Sequence, residues 1–174
     1  MLVVEPDLFR DERGYFMETW HAAKYSEHGI NEKFVQDNYS HSNYGVLRGL
    51  HYQLKNPQGK LVRVASGVVY DVAVDIRIGS PTFSQWFGLE LCGYNHKQLY
   101  IPPGFAHGFC VLSEYADLVY KCTDFYTPDD EYGIIWNDPD LGIDWPGVDF
   151  SISERDLNSH SLSYMMEQGL LPEL

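Results

Sequence analysis

The sequence predicts an all-β domain, a sandwich or closed jelly roll. Short β-branched runs recur through the middle of the chain, Gly, Pro or Asn punctuates them, and helix signal is weak. Helix signal is confined to residues 21–29 and 163–168. The segment VLRGLHYQ is strand-like and lies between Gly45 and Gly59. Residues 61–65 and 68–76 flank Ser66-Gly67, a pair that predicts a tight hairpin. Further strands are expected over 87–91, 98–101, 108–112 and 118–126. Alternation in VYDVAVDI puts Val69, Asp71, Ala73 and Asp75 on one face and Tyr70, Val72, Val74 and Ile76 on the other. The second set is the expected core face.

Composition bounds what such a domain can do. At 174 residues, with no linker, repeat or low-complexity run, the chain reads as one domain over 1–174. Hydrophobic residues at 44% and charged residues at 21% are globular values. Aromatics reach 15%, enough to furnish both a core and an interface. Twelve Lys and Arg against twenty-five Asp and Glu give a net charge of −13, which argues against nucleic acid and against an anionic membrane surface. Eleven acidic residues and the single base Arg155 lie from Asp129 onward, so an anionic ligand must be met by a few placed cations. The N-terminal MLVVEPDLFRDERG lacks the basic-then-apolar pattern of a signal peptide. No run approaches the roughly 18 apolar residues of a membrane helix. Cys92, Cys110 and Cys122 read as reduced, buried residues of a cytoplasmic protein.

Chemistry concentrates in two segments. A lone His in a strand is more often structural than catalytic, but His51 stands among Arg48, Gln53, Lys60 and Arg63 in a chain poor in bases. Arg48 and His51 are an odd number of residues apart, so a regular strand would send them to opposite faces. They reach one site only if the chain bends near Gly49. In IPPGFAHGF, a rigid Pro-Pro-Gly turn precedes His107. The spacings Gly45–His51, Lys60–Gly67 and Pro102-x-Gly104-x-x-His107 resemble the two motifs of cupin barrels. Gln53 and Lys60 stand where that pattern has a metal-binding His and Glu. An ammonium at the carboxylate position repels a metal and suits an oxyanion instead, so no metal site is expected.

Ten motifs in order, FRDERGYF, FVQDNYS, VLRGLHYQ, QGKLVRV, DVAVDIR, SPTFSQW, IPPGFAHGF, VYKCTDFY, LGIDWP and SERD, resemble the dTDP-4-dehydrorhamnose 3,5-epimerase family from Glu5 to Asp156. The resemblance implies a cupin barrel, a homodimer, and a reaction without cofactor or metal. It implies His51 as catalytic base, Asp156 as its paired carboxylate and Tyr120 as proton donor on the opposite face of the sugar. Lys60 and His107 match residues beside the keto group. Arg13, Glu18, Gln36, Asn38, Arg48, Glu131 and Arg155 match positions lining the nucleotide and diphosphate, and Tyr126 matches the aromatic that stacks on thymine. Phe125 stands where many members have a second Tyr, and Arg155 where some have Lys. The implied substrate is a dTDP-linked 4-keto-6-deoxysugar.

These residue types suit that chemistry. Removing a proton next to a ketone leaves an enolate, and His starts near the working pH, at about 6.5. A carboxylate on its other nitrogen fixes the tautomer and stabilises the imidazolium. Lys60 can hold the enolate oxygen, and the arginines suit a diphosphate. The alternative is a relative that inverts only C3 or C5, or a ketoisomerase.

Overall fold

The computed structural model describes all residues, Met1–Leu174. The strands are β1 (Leu2–Val4), β2 (Leu8–Asp11), β3 (Gly14–Met17), β4 (Gln36–Asn43), β5 (Val46–Gln53), β6 (Lys60–Ser66), β7 (Val68–Asp75), β8 (Trp86–Cys92), β9 (Gln98–Ile101), β10 (Phe105–Val111), β11 (Tyr115–Cys122), β12 (Glu131–Gly133) and β13 (Ser151–Ile152). Three short helices accompany them: α1 (Ala22–Ser26), α2 (Glu154–Leu157) and α3 (Leu162–Glu167). One sheet runs β1-β9-β6-β11-β4. The other runs β12-β5-β10-β7-β8, with β13 parallel to β5, and β2 and β3 form a separate hairpin. The all-β jelly-roll expectation is met.

The two sheets close on a core that includes Val62, Val64 and Leu118 from the first and Val69, Ala73, Phe109 and Val111 from the second. A second core lies outside the second sheet, where Val72, Val74 and Ile76 meet Leu141, Leu162, Met165 and Leu171 from the C-terminal segment. Strand β7 is therefore buried on both faces, which corrects the one-sided core expected for it. Both sets are apolar enough because each faces a layer, and the first set carries Asp71 into the interior.

The hairpin expected at Ser66-Gly67 does not form. β6 pairs with β9 and β11, whereas β7 pairs with β8 and β10, so the turn carries the chain from one sheet to the other. Gly67 has φ +82°, and a Cβ there would sit 2.1 Å from the Tyr115 carbonyl oxygen. The glycine serves a tight crossing between layers rather than a two-residue hairpin. β10 also begins earlier than expected, so His107 lies within the strand and not ahead of it. The eight-residue β4 and the shortest elements, β1 to β3, β12, β13 and α2, were not among the expected elements. No helix is long and apolar enough to cross a membrane.

Candidate active site

An open cavity of about 690 Å³ occupies the polar end of the barrel interior. Strand β4 lines one wall by simple alternation: Gln36, Asn38 and Ser40 turn inward while Asp37, Tyr39 and His41 are exposed. The neighbouring β11 presents Leu118 and Tyr120 to the same space, with Tyr120 registered against Asn38. Lys60 enters from β6. The facing sheet contributes Arg48 and His51 from β5 and His107 from β10.

The bend required near Gly49 is present as a β-bulge. His107 pairs with His51 and Phe109 with Arg48, so three steps on β5 oppose two on β10. The extra residue brings Arg48 and His51 to one cavity. Gly49 has φ +115°, and a Cβ there would fall 2.6 Å from both Gly108 Cα and the His107 carbonyl oxygen.

His51 Nε2 lies 2.7 Å from Asp156 Oδ1. Asp156 is held in turn: its Oδ2 accepts from the Gly49 N–H at 3.3 Å, and its own N–H donates to Ser153 Oγ at 3.1 Å, the cap of α2. Burial alone would raise the Asp156 carboxyl, but the His51 hydrogen bond and charge, with the Gly49 and Ser153 bonds, hold it below the usual range. With Nε2 engaged, Nδ1 is the ring nitrogen left for a ligand, and Glu131 Oε1 is 3.9 Å from it. Beside it, His107 Nε2 is 3.0 Å from both oxygens of the fully buried Asp71.

Burial depresses Lys60, opposed by Cys122, Glu131 and Asp71. Burial raises Tyr120, reinforced by Cys122 and Glu131 and opposed by Arg48, so its hydroxyl stays protonated. Arg48 is anchored through Nε to Ser42 Oγ at 3.1 Å, which leaves its terminal nitrogens for a ligand. At the mouth, Glu131 Oε2 is 2.6 Å from Arg155 Nη1 and accepts from the Tyr126 hydroxyl at 2.8 Å. The Tyr126 N–H donates to Gln36 Oε1 at 2.9 Å, and Gln36 Nε2 donates to Asn38 Oδ1 at 3.0 Å.

The cupin metal positions are therefore altered in kind. Each histidine pairs with a carboxylate, and Gln53 Nε2 donates to the Asn56 and Phe125 carbonyls while its Oε1 accepts from the Thr127 N–H. No group of three His, Cys, Asp or Glu side chains is arranged to hold a metal ion.

Of the thirteen expected residues, eleven line one cavity: His51, Lys60, Tyr120, Asp156, Gln36, Asn38, Arg48, His107, Tyr126, Glu131 and Arg155. Arg13 and Glu18 do not join them. Arg13 is exposed on the β2–β3 hairpin and pairs with Asp11, while Glu18 pairs with Lys24 at 2.8 Å. Both lie outside the cavity of their own chain. Sequence reasoning missed Asp71 and Ser153. Asp71 alternates with Val69 and Ala73 on the face not expected to form the core, so its need for a buried partner was not read from sequence.

A cupin-type barrel with a carboxylate-paired histidine, a tyrosine and a half-buried lysine lining one cavity defines an acid–base enzyme. The chain belongs to the dTDP-4-dehydrorhamnose 3,5-epimerase family, whose model matches residues 1–164, and the family's enzymes are isomerases. The dTDP-4-dehydrorhamnose 3,5-epimerase of Pseudomonas aeruginosa is 54% identical over 158 residues, covering 90% of this chain and 87% of that protein. That of Neisseria gonorrhoeae is 57% identical over 144 residues; the match covers 83% of this chain but 44% of the relative's length. A crystal structure of a dTDP-6-deoxy-D-glucose-3,5-epimerase from Legionella pneumophila, in complex with dTDP-4-keto-L-rhamnose, superposes with a TM-score of 0.95 at 53% identity, covering 99% of this chain and 92% of that one.

Proposed function

We propose that this chain inverts C3 and C5 of dTDP-4-dehydro-6-deoxy-D-glucose to give dTDP-4-dehydro-L-rhamnose. The observation that carries the reading is the opposition of His51 and Tyr120 on facing sheets across one cavity. His51 Nδ1 removes the proton next to the C4 ketone, and Asp156 stabilises the imidazolium. Lys60 holds the enolate oxygen, with His107 beside it. Tyr120 returns a proton from the other face. Arg48 and Arg155 hold the diphosphate, Gln36 and Asn38 line the nucleotide, and Tyr126 stacks on thymine. Both carbons flank one ketone, so one base and one lysine serve each in turn.

The same reading makes the chain one domain that acts as a homodimer, without cofactor or metal. Three free, buried cysteines suit a reducing cytoplasm. In heavy water with dTDP-4-keto-6-deoxyglucose, the product should carry deuterium at C3 and C5. Tyr120→Phe should slow net inversion more than the first proton removal. Deuterium at C3 alone in the wild-type protein would replace this reading with a monofunctional epimerase.

A further inference from the structure

Glu131 is out of place among groups meant to receive an anion. Its side chain is 14% exposed at the mouth of the cavity, where a diphosphate would meet a carboxylate as well as arginines. Its two oxygens face different ways. Oε2 is taken by Arg155 at 2.6 Å and by the Tyr126 hydroxyl at 2.8 Å, while Oε1 is 3.9 Å from His51 Nδ1. The carboxylate is ionised: burial pushes it up, but Tyr126, Arg155 and the charge of His51 hold it below its usual range. Strand β12 fixes this bridging position, because Glu131 is registered against Gln53 and Gly133 against His51 on β5.

We propose that Glu131 is a positioning residue that couples occupation of the nucleotide end of the cavity to the strength of the base His51. The inference rests on the epimerase reading. A diphosphate that engages the Arg155 guanidinium competes with Glu131 for it, while Tyr126 stacks through its ring and can keep its hydroxyl on Glu131. The carboxylate then loses the cation that offset it and faces Nδ1, the nitrogen that becomes charged when a proton is abstracted. The other charged or titratable groups around His51 are Asp156 from α2, Lys60 from β6, His107 from β10, Tyr120 from β11 and Arg48 on its own strand. Asp156 stays on Nε2 throughout, and none of the others gives up a protein counter-ion to the ligand as Glu131 does. Binding energy from the nucleotide, remote from the reacting carbons, would thereby appear in the chemical step.

A carboxylate that merely contacts the nucleotide and one that competes for its binding groups make opposite predictions. Glu131→Gln removes the charge that holds Arg155 and makes its guanidinium easier for a ligand to take. That variant should bind dTDP about two- to five-fold tighter by calorimetry, the scale of a half-exposed ion pair. Its kcat for deuterium incorporation from dTDP-4-keto-6-deoxyglucose should fall roughly 10-fold, as expected from one neighbouring charge. Glu131→Asp keeps the charge on a shorter arm and should give an intermediate kcat. Weaker dTDP binding by Glu131→Gln would overturn the proposal and make Glu131 a plain ligand contact. Equal loss of kcat in the Gln and Asp variants would also overturn it, since shape rather than charge would then matter. If the wild-type chain exchanges no deuterium into the sugar while Glu131→Gln still binds dTDP more tightly, the epimerase reading fails and the competition for Arg155 stands.

Discussion

At the scale of single residues, the proposed reaction turns on which ring nitrogen of His51 is free, and Asp156 leaves Nδ1. In that reading His51→Asn removes the proposed base and leaves an amide near the Nδ1 position, short of the Nε2 contact with Asp156. His51→Asn should abolish solvent exchange at both C3 and C5, a loss of about 10²- to 10⁴-fold or more, and dTDP should still bind. Asp156→Asn should lose less, because Asp156 orients the base without taking its proton. Exchange near the wild-type rate in His51→Asn would place the base elsewhere. The residues legible from sequence are those whose chemistry is unusual for their position: a histidine amid cations, or a lysine where a metal ligand is expected. Asp71 and Ser153 were not, because their roles depend on partners at His107 and on the cap of α2, and spacing along the chain carries neither contact.

At the scale of elements, alternation located the central strands to within a few residues, and it failed where a strand has two buried faces or a turn joins two layers. Hydrophobicity reads the same whether a second layer covers a strand or solvent does, so the burial of both faces of β7 was invisible. Ser66-Gly67 shows a turn without showing which strands it pairs. The bend at Gly49 was a geometric necessity if Arg48 and His51 were to share a site, and the bulge meets it. Gly49→Ala tests that link between backbone and site. The added Cβ would press on the backbone of His107 and Gly108, and the position requires φ +115°. The variant should lose about 1–3 kcal/mol of stability by thermal unfolding, and turnover should fall as β5 shifts against β10. Wild-type melting and wild-type turnover together would show that the bulge does not set the site.

At the scale of the whole molecule, Arg13 and Glu18 pose the remaining question. The family resemblance assigns both to the nucleotide, yet the β2–β3 hairpin holds Arg13 outside its own cavity, with Phe9, Tyr15 and Phe16 exposed beside it. Large exposed aromatics on a projecting hairpin are the features of an interface. A symmetric dimer resolves both facts if each hairpin serves the cavity of the other subunit, because a two-fold contact gives each site the same missing residues. Sedimentation at micromolar concentration should give twice the mass of the 20.0 kDa chain. A sharper test mixes two variants, each inactive or nearly so alone: Arg13→Ala, which keeps its base, and His51→Asn, which keeps its hairpin. In a mixed dimer, one cavity would combine the intact His51 of the first subunit with the intact Arg13 of the second. After subunit exchange at equal amounts, about a quarter of wild-type turnover should return, since half the dimers are mixed and each holds one complete site. No recovery, with mixed dimers demonstrated by mass, would mean that Arg13 serves its own chain or no site at all.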